Sequence, residues 1–323
     1  MEIYTHRHPT DGNIGIGNIP SRYSDVLEDI AAEYLSQVPD KTATTHHSYY
    51  TEMTGNMKKQ FEKIQFSEIW QGLRLGAFEA PKSFAVILRD MVEMNEVYYS
   101  NPKPNFENTN LYGAAANLIP HRDCILYYFP GIRVYRVIIS ATDGNTDTAT
   151  HFIKHDIEKR LNKGDYIVFD FDRTLHQVKK TGKVSSPRIL LKLHFFVFDI
   201  KYANMTGLWI YVDFAYWCYV VYYRVARYTE QLGTDPTTFM GFFFGIPWEY
   251  MFYPEIRNAI GFTYVGFGML LPITHNIAIK YENIGSMVLY STMDMFFAYL
   301  LIVLYFWVRF LIQSSVNKMT FGK

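Results

Sequence analysis

Three side chains in the middle of the chain offer chemistry by type and spacing. His121 and Asp123, in the triplet HRD, put an imidazole and a carboxylate one residue apart, and His176 follows much later in GDYIVFDFDRTLHQV. Two imidazoles and one carboxylate are the donor set that holds a non-haem Fe(II) on one face and leaves positions open for reactants. Arg188, in KKTGKVSSPRILLKLHF, comes soon enough after the second histidine to bind a carboxylate co-substrate in bidentate fashion. Ligands this far apart in sequence must be brought together by a rigid scaffold.

The sequence predicts that scaffold from Leu111 onward, where the hydrophobic period becomes two. The runs CILYYF, IRVYRVIIS, THFIKH, YIVFDF, LHQV and ILLKLHFFVF are rich in β-branched and aromatic residues and are separated by PG, DGNTD, NKGD and KTGK turn signals. An antiparallel β domain follows, with a jelly roll as the most economical architecture. In its last segment, His176 and Arg188 are equidistant from Gly182. Equidistant residues of a hairpin face each other across the ladder, so this spacing predicts His176 and Arg188 as neighbours on one face of one sheet.

Ahead of the β domain the chain reads as an arm followed by helices. Residues 1–22 predict an extended or looped arm. The glycines of GNIGIGNIP have dinucleotide-like spacing, but no strand precedes them and no helix follows, so a turn is expected there. Val26, Leu27, Ile30, Ala31 and Leu35 predict a helix from Ser24 to about Val38, ended by Pro39. Residues 56–74 and 83–99 predict two amphipathic helices, with Phe61, Ile64, Ile69 and Leu73, and Val86, Ile87, Met91 and Met94, at the spacing of a buried stripe. A polar loop is expected from Pro102 to Asn110. His46 and His47 are adjacent on an extended segment and so point to opposite sides. With His6 and His8 they fit a solvated or partner-contacting arm better than a metal site. His151, His155 and His194 are second-choice ligands, His194 also fitting a satisfied core histidine.

Residues 105–200 resemble the Fe(II)/2-oxoglutarate dioxygenases, and more narrowly the aspartyl/asparaginyl β-hydroxylases and their bacterial proline-hydroxylase relatives. The resemblance is carried by HRD at 121–123, the Gly164-Asp165 lead-in to FDFDRTLH, and Arg188. It implies a double-stranded β-helix in which His121, Asp123 and His176 bind Fe(II) and Arg188 binds the distal carboxylate of 2-oxoglutarate. Arg136 looks like the arginine that family carries on the strand after the first ligands, and is taken with Arg188 as cofactor-binding. Ile138 stands where a histidine often follows that arginine.

Composition shapes the rest. Net charge is zero, which offers no electrostatic footprint for nucleic acid, and two cysteines make no disulfide framework. The N-terminus shows no basic segment leading into an apolar one, so no cleavable signal is expected. The 49% hydrophobic content is concentrated in residues 207–312. Residues 287–312 are long and apolar enough to span a bilayer, 207–223 and 259–279 are further candidates, and 238–253 suits a re-entrant or interfacial segment. Asp213, Glu249, His275 and Asp294 lie in or near these stretches, with pairing between helices or contact with another subunit as their expected role.

The expectation is thus an α+β chain. Residues 1–55 form an arm and short helix, 56–200 a double-stranded β-helix (jelly roll) with N-terminal supporting helices, and 201–323 a C-terminal transmembrane helical region. Two functions fit. One is a membrane-anchored hydroxylase acting on a lipid or a membrane-protein side chain. The other is an accessory subunit of a large membrane complex, such as a respiratory-chain or ATP synthase assembly, in which the hydroxylase-like domain is structural. Expected partners are membrane lipids and membrane-protein subunits, with no nucleic acid. The expected location is an integral membrane one, the mitochondrial inner membrane first and the endoplasmic reticulum second.

Overall fold

A computed structural model describes residues 4–8, 11–37, 45–70, 86–100, 120–124, 129, 131–143, 148–180, 187–199 and 208–233, with single positions between 286 and 308. The chain divides into two compact units, Met1–Asn110 with Ala114–Arg224, and Leu111–Gly113 with Val225–Lys323.

The first unit begins with β1 (Tyr4–His8), β2 (Gly12–Asn18), α1 (Ser24–Gln37), β3 (Thr45–Tyr49), α2 (Gly55–Gln65), β4 (Val86–Asp90) and β5 (Glu96–Ser100). It continues with β6 (Ile132–Ser140), β7 (Thr148–Phe152), β8 (Ile157–Lys159), β9 (Asp165–Asp170), β10 (His176–Lys180) and β11 (Arg188–Asp199), then α3 (Leu208–Gly233), which runs on past Arg224. The large antiparallel sheet has the order β1-β2-β9-β6-β11-β5-β3, with β4 also on β11, and the small sheet has the order β10-β7-β8. A single bridge between His121 and His176 adds the HRD segment to the edge of the small sheet. From β5 onward the chain passes repeatedly between the two sheets, which is the jelly-roll plan.

Strand alternation decides which residues reach the site. On β11, Ile189, Leu191, Leu193, Phe195 and Val197 pack outward with Leu27, Ile30, Phe61, Ile64 and Trp70 of the helical layer. The alternate residue Leu190 packs inward with Ile138, Phe152, Ile167 and Phe169, between the sheets. Arg188, Lys192 and His194 share the inward parity of Leu190. The helices therefore cover one face of the large sheet and leave the other for the interior.

Several sequence expectations need correction. The described residues 86–99 form no α-helix: β4, a 3-10 turn at Val92–Met94 and β5 take its place. Strand β11 is long enough to pair with β4 at Phe195–Asp199 and with β5 at Arg188–Lys192, and this pairing overrides the helical spacing. Helix α2 stops at Gln65, after which Glu68–Trp70 turn as a 3-10 helix; Leu73 lies outside the described residues. In α1 the buried stripe includes Tyr34, while Leu35 is exposed. The N-terminal arm is a hairpin, and GNIGIGN is strand β2, paired with both β1 and β9. Its glycines serve close packing rather than a phosphate: a Cβ at Gly17 would lie 2.5 Å from the Tyr166 hydroxyl. At Gly12, φ is 77° and a Cβ would lie 2.6 Å from Asp170 Cβ.

Residues 207–223, expected as a membrane span, fall largely in α3. Its residues Val212, Ala215 and Tyr219 are fully buried within the first unit, and Asp213 pairs with Arg89 at 2.6 Å. Among the described residues no helix is long and apolar enough to cross a membrane. In the second unit, the described positions from Ser286 to Val308 are helical, and Val288, Leu289, Met293, Phe296, Leu301 and Leu304 are exposed. The rest of the 287–312 expectation, and all of 238–253 and 259–279 with Glu249 and His275, lie outside the described residues.

Candidate metal centre

His121 and His176 meet through their backbones. His121 N donates to His176 O at 2.9 Å and His176 N donates to His121 O at 3.0 Å. This two-bond bridge places the imidazoles side by side, with ring centroids 4.5 Å apart. Asp123, two residues on, returns its carboxylate to the same point: Oδ1 lies 3.6 Å from His121 Nε2 and Oδ2 lies 3.4 Å from His176 Nε2. One ligand atom from each of the three falls within 4.8 Å of the others. The His-Asp-His triad expected from sequence is therefore assembled.

His176 and Asp123 are in the form that a cation needs. His176 Nδ1 lies 3.1 Å from the Thr174 carbonyl, to which it donates, so Nε2 carries the free lone pair. Burial, with help from His121 and Arg136 and against the pull of Asp123, lowers His176 to about 4, which leaves it neutral at physiological pH. Asp123 is also buried, which alone would raise its pKa. Arg136, His176 and His121 outweigh that and hold it well below the usual carboxylate range. Arg136 Nη1 sits 2.8 Å from Asp123 Oδ2 as a charge partner, yet Oδ2 is buried with no aligned hydrogen bond. A buried carboxylate whose two oxygens each face one imidazole nitrogen, with Arg136 beside it as a charge partner, fits a divalent cation.

The other expected residues divide. Arg136 is held in place on the opposite side from Asp123. Its Nε donates to His194 Nε2 at 2.9 Å, and its guanidinium carbon lies 4.4 Å over the Phe171 ring. His194 is fully buried, pairs in register with Arg136, and has its Nδ1 3.4 Å from Asn95 Oδ1, which also accepts from His194 N at 2.7 Å. An unbroken line Asn95–His194–Arg136–Asp123 thus backs the carboxylate. His194 is the satisfied core histidine of the two readings, and it orients the arginine beside Asp123. Burial and the neighbouring Arg136 lower its pKa well below the ordinary value, so it stays a neutral acceptor.

Arg188 is not across a ladder from His176. His176 pairs with Phe152 of β7 and Arg188 with Ser100 of β5, so the two sit in different sheets, and the turn around Gly182 lies outside the described residues. Phe152 and Leu190 belong to one interior cluster, which means that His176 and Arg188 look into the same space from opposite walls. Arg188 is 7% exposed, its Nε has no hydrogen-bond partner, and burial lowers its pKa from the ordinary value, partly offset by Tyr98. Tyr98, beside it on β5, was not anticipated from sequence, nor were Asn95 and Thr174: nothing local marks a residue whose role is set by a strand far away.

The remaining histidines lie apart from the triad. His151 Nδ1 is 3.2 Å from Gln177 Nε2, His155 borders Asp11, and His47 Nδ1 is 2.7 Å from Glu96 Oε2. His46 Nδ1 meets the Tyr34 hydroxyl on the other side of β3, as the alternation predicts.

No family model matches the chain, and no curated protein matches it. Among solved structures it is similar to the non-haem α-ketoglutarate-dependent epimerase SnoN of nogalamycin biosynthesis, with 14% identity, TM-score 0.40, and 58% of this chain and 78% of that chain covered. A viral collagen prolyl hydroxylase from Paramecium bursaria Chlorella virus-1 gives 15% identity, TM-score 0.35, and coverage of 58% and 99%. A Pseudomonas putida prolyl-4-hydroxylase gives 13% identity, TM-score 0.34, and coverage of 57% and 91%.

Proposed function

We propose that the first unit is an Fe(II)/2-oxoglutarate-dependent hydroxylase. The observation that carries this reading is the pairing of a His121, Asp123, His176 donor set with a buried Arg188, whose Nε has no hydrogen-bond partner, facing the same interior from the opposite sheet. A ferrous ion held there, with 2-oxoglutarate as co-reductant, would activate dioxygen for attack on an unactivated C–H bond. His121, Asp123 and His176 supply the ligands, and Thr174 fixes the His176 tautomer. Arg136 neutralises Asp123, while Arg188 and Tyr98 receive the distal carboxylate of the co-substrate. The aromatic and aliphatic interior around Phe152, Phe169 and Leu190 keeps bulk water from the reacting centre.

The test is uncoupled 2-oxoglutarate turnover by the purified chain with Fe(II), compared with His176→Ala. Turnover in the wild type that disappears in the variant supports the assignment; equal turnover in both removes it.

The substrate proposed for this hydroxylase is a lipid or a membrane-protein side chain. The support is apolar surface outside the β domain: Trp209, Ile210, Phe214 and Trp217 of α3 are 46–76% exposed, and the exposed apolar residues of 288–308 follow in the second unit. Co-sedimentation of the chain with phospholipid vesicles checks this. Exposed apolar residues of this kind also suit burial in a membrane-protein assembly, in which case the chain is an accessory subunit; release from membranes only as part of a larger complex, without 2-oxoglutarate turnover, supports that second reading.

A further inference from the structure

A second buried acidic centre lies outside the triad. Asp11, in the turn between β1 and β2, is fully buried. Leu175 N donates to both of its carboxylate oxygens, at 3.2 and 3.1 Å, and Thr174 Oγ1 donates to its backbone carbonyl at 2.9 Å. Residues 174 and 175 are the approach to His176. On the other side, Arg122 Nη2 lies 3.5 Å from Asp11 Oδ1, and Arg122 is the residue between His121 and Asp123. Arg122 Nε also donates to the Arg173 carbonyl at 2.7 Å, closing a loop between the HRD segment and the same approach. Lys154 Nζ and His155 Nε2, at 3.8 and 3.7 Å, complete the surroundings of the carboxylate.

A carboxylate removed from water costs several kcal/mol unless strong partners compensate, so a hairpin that only needed to cover a sheet edge would carry an apolar residue here. Asp11 instead joins the two segments that bring the ligands, and does so beyond the single His121–His176 bridge. Two contacts at different places along a pair of segments fix their mutual angle, which one bridge alone does not.

We propose that Asp11 is a positioning residue of the metal centre, through which the N-terminal hairpin sets the distance and angle between the HRD segment and His176. This rests on His121, Asp123 and His176 being metal ligands. Outer partners of ligands of this kind are worth roughly 10- to 100-fold in metal affinity.

The experiment is Mn(II) titration by calorimetry of wild type, Asp11→Asn, Arg122→Gln and Ile16→Ala, each held at a temperature where circular dichroism shows it folded. Ile16 lies on β2 of the same hairpin and packs on the interior cluster, so Ile16→Ala loosens the hairpin while keeping the Asp11 carboxylate and its partners. The expected result is one Mn(II) site in the wild type, about 10-fold or more weaker binding in Asp11→Asn, a smaller loss in Arg122→Gln and unchanged affinity in Ile16→Ala. Wild-type affinity in folded Asp11→Asn overturns the proposal, as does equal weakening in Ile16→Ala, which would make hairpin stability the cause. If Asp11→Asn does not fold, Arg122→Gln decides: unchanged affinity there overturns the tie. Absence of Mn(II) binding by the wild type removes the metal reading itself, and the positioning role with it.

Discussion

His121 and His176 exchange both of their backbone hydrogen bonds, so the two imidazoles of the metal centre are held together by main chain rather than by their own side chains. Removing an imidazole should therefore leave the bridge intact. His176→Ala is expected to fold and to lose metal affinity only. In thermal unfolding, Mn(II) at about a hundred times its dissociation constant should stabilise the wild type by roughly 2.7 kcal/mol and leave His176→Ala where it was. A variant that fails to fold in the absence of metal would show that the rings, not the bridge, hold the strands.

Arg136 faces Asp123 at 2.8 Å in a site where the arginine and carboxylate side chains are 12% and 15% exposed. Breaking a buried pair from one side leaves the other charge uncompensated, at a cost of about 3 kcal/mol. Arg136→Met should lower stability to urea by that order without metal. Saturating Mn(II) supplies a replacement counter-charge, so the loss should shrink when metal is present. An equal loss with and without Mn(II) would mean that the stacking on Phe171 and the bond to His194 matter more than the charge.

Arg188 has the opposite balance. Its Nε is buried without a hydrogen-bond partner, so without co-substrate the fold bears the cost of desolvating a cation. Arg188→Met is expected to be as stable as the wild type, or more so, in the absence of co-substrate. The stabilisation that 2-oxoglutarate gives the Mn(II)-loaded wild type should disappear, since losing one partner of a buried charge pair costs about 2–5 kcal/mol of binding. Thermal unfolding with and without 2-oxoglutarate checks both halves.

The parts of this architecture that were legible in sequence are those that local chemistry encodes. The donor types of His121, Asp123 and His176 are informative wherever the fold puts them, and the period-two runs after Leu111 require strands. What sequence could not show is pairing. Symmetry about Gly182 suggests a hairpin between His176 and Arg188, but successive strands of a jelly roll cross between sheets, and that crossing depends on partners such as Phe152 and Ser100. Val86, Ile87, Met91 and Met94 satisfy a helical spacing and a strand-turn-strand path equally well, and only the length of β11 chooses between them. Glycines in β2 suggest a turn until the Tyr166 ring beside Gly17 is known. His194, Asn95 and Asp11 act through contacts distant in sequence, which leave no local mark.

Glu96 gives a pH dependence with a definite sign. It is 4% exposed, with Lys192 Nζ 2.6 Å from Oε1 and His47 Nδ1 2.7 Å from Oε2. Burial alone would raise its pKa, but Lys192 and His47 outweigh burial and hold it well below the ordinary value. A carboxyl with a depressed folded-state pKa adds stability above its unfolded value of about 4.3 and loses it as pH falls through the folded value. Wild type should therefore exceed Glu96→Gln in urea resistance at pH 7, and the gap should narrow on acidification below about pH 4.3. A gap that stays constant down to pH 3 would sink this account of the ion pair.

Asp172 should behave in the reverse sense. It is fully buried, and burial first, then the neighbouring Asp170, pushes its pKa well above the usual range against the opposing bond from the Tyr219 hydroxyl of α3. A carboxyl raised in the folded state contributes stability that is complete below its unfolded value of about 3.9 and is lost as pH rises through the folded value. Asn at this position keeps an acceptor for Tyr219 and a donor for Asp170 but never ionises. Asp172→Asn should match the wild type near pH 4 and surpass it at pH 8, while Tyr219→Phe should cost about 1 kcal/mol at either pH through its lost hydrogen bond. Tyr222 of the same helix donates to the Asp123 carbonyl at 3.4 Å, so α3 reaches the metal loop as well as Asp172. Urea midpoints at the two pH values decide the matter: an Asp172→Asn chain weaker than wild type at pH 8 would mean that Asp172 is ionised there and that its charge, set against Arg173, holds the turn before His176.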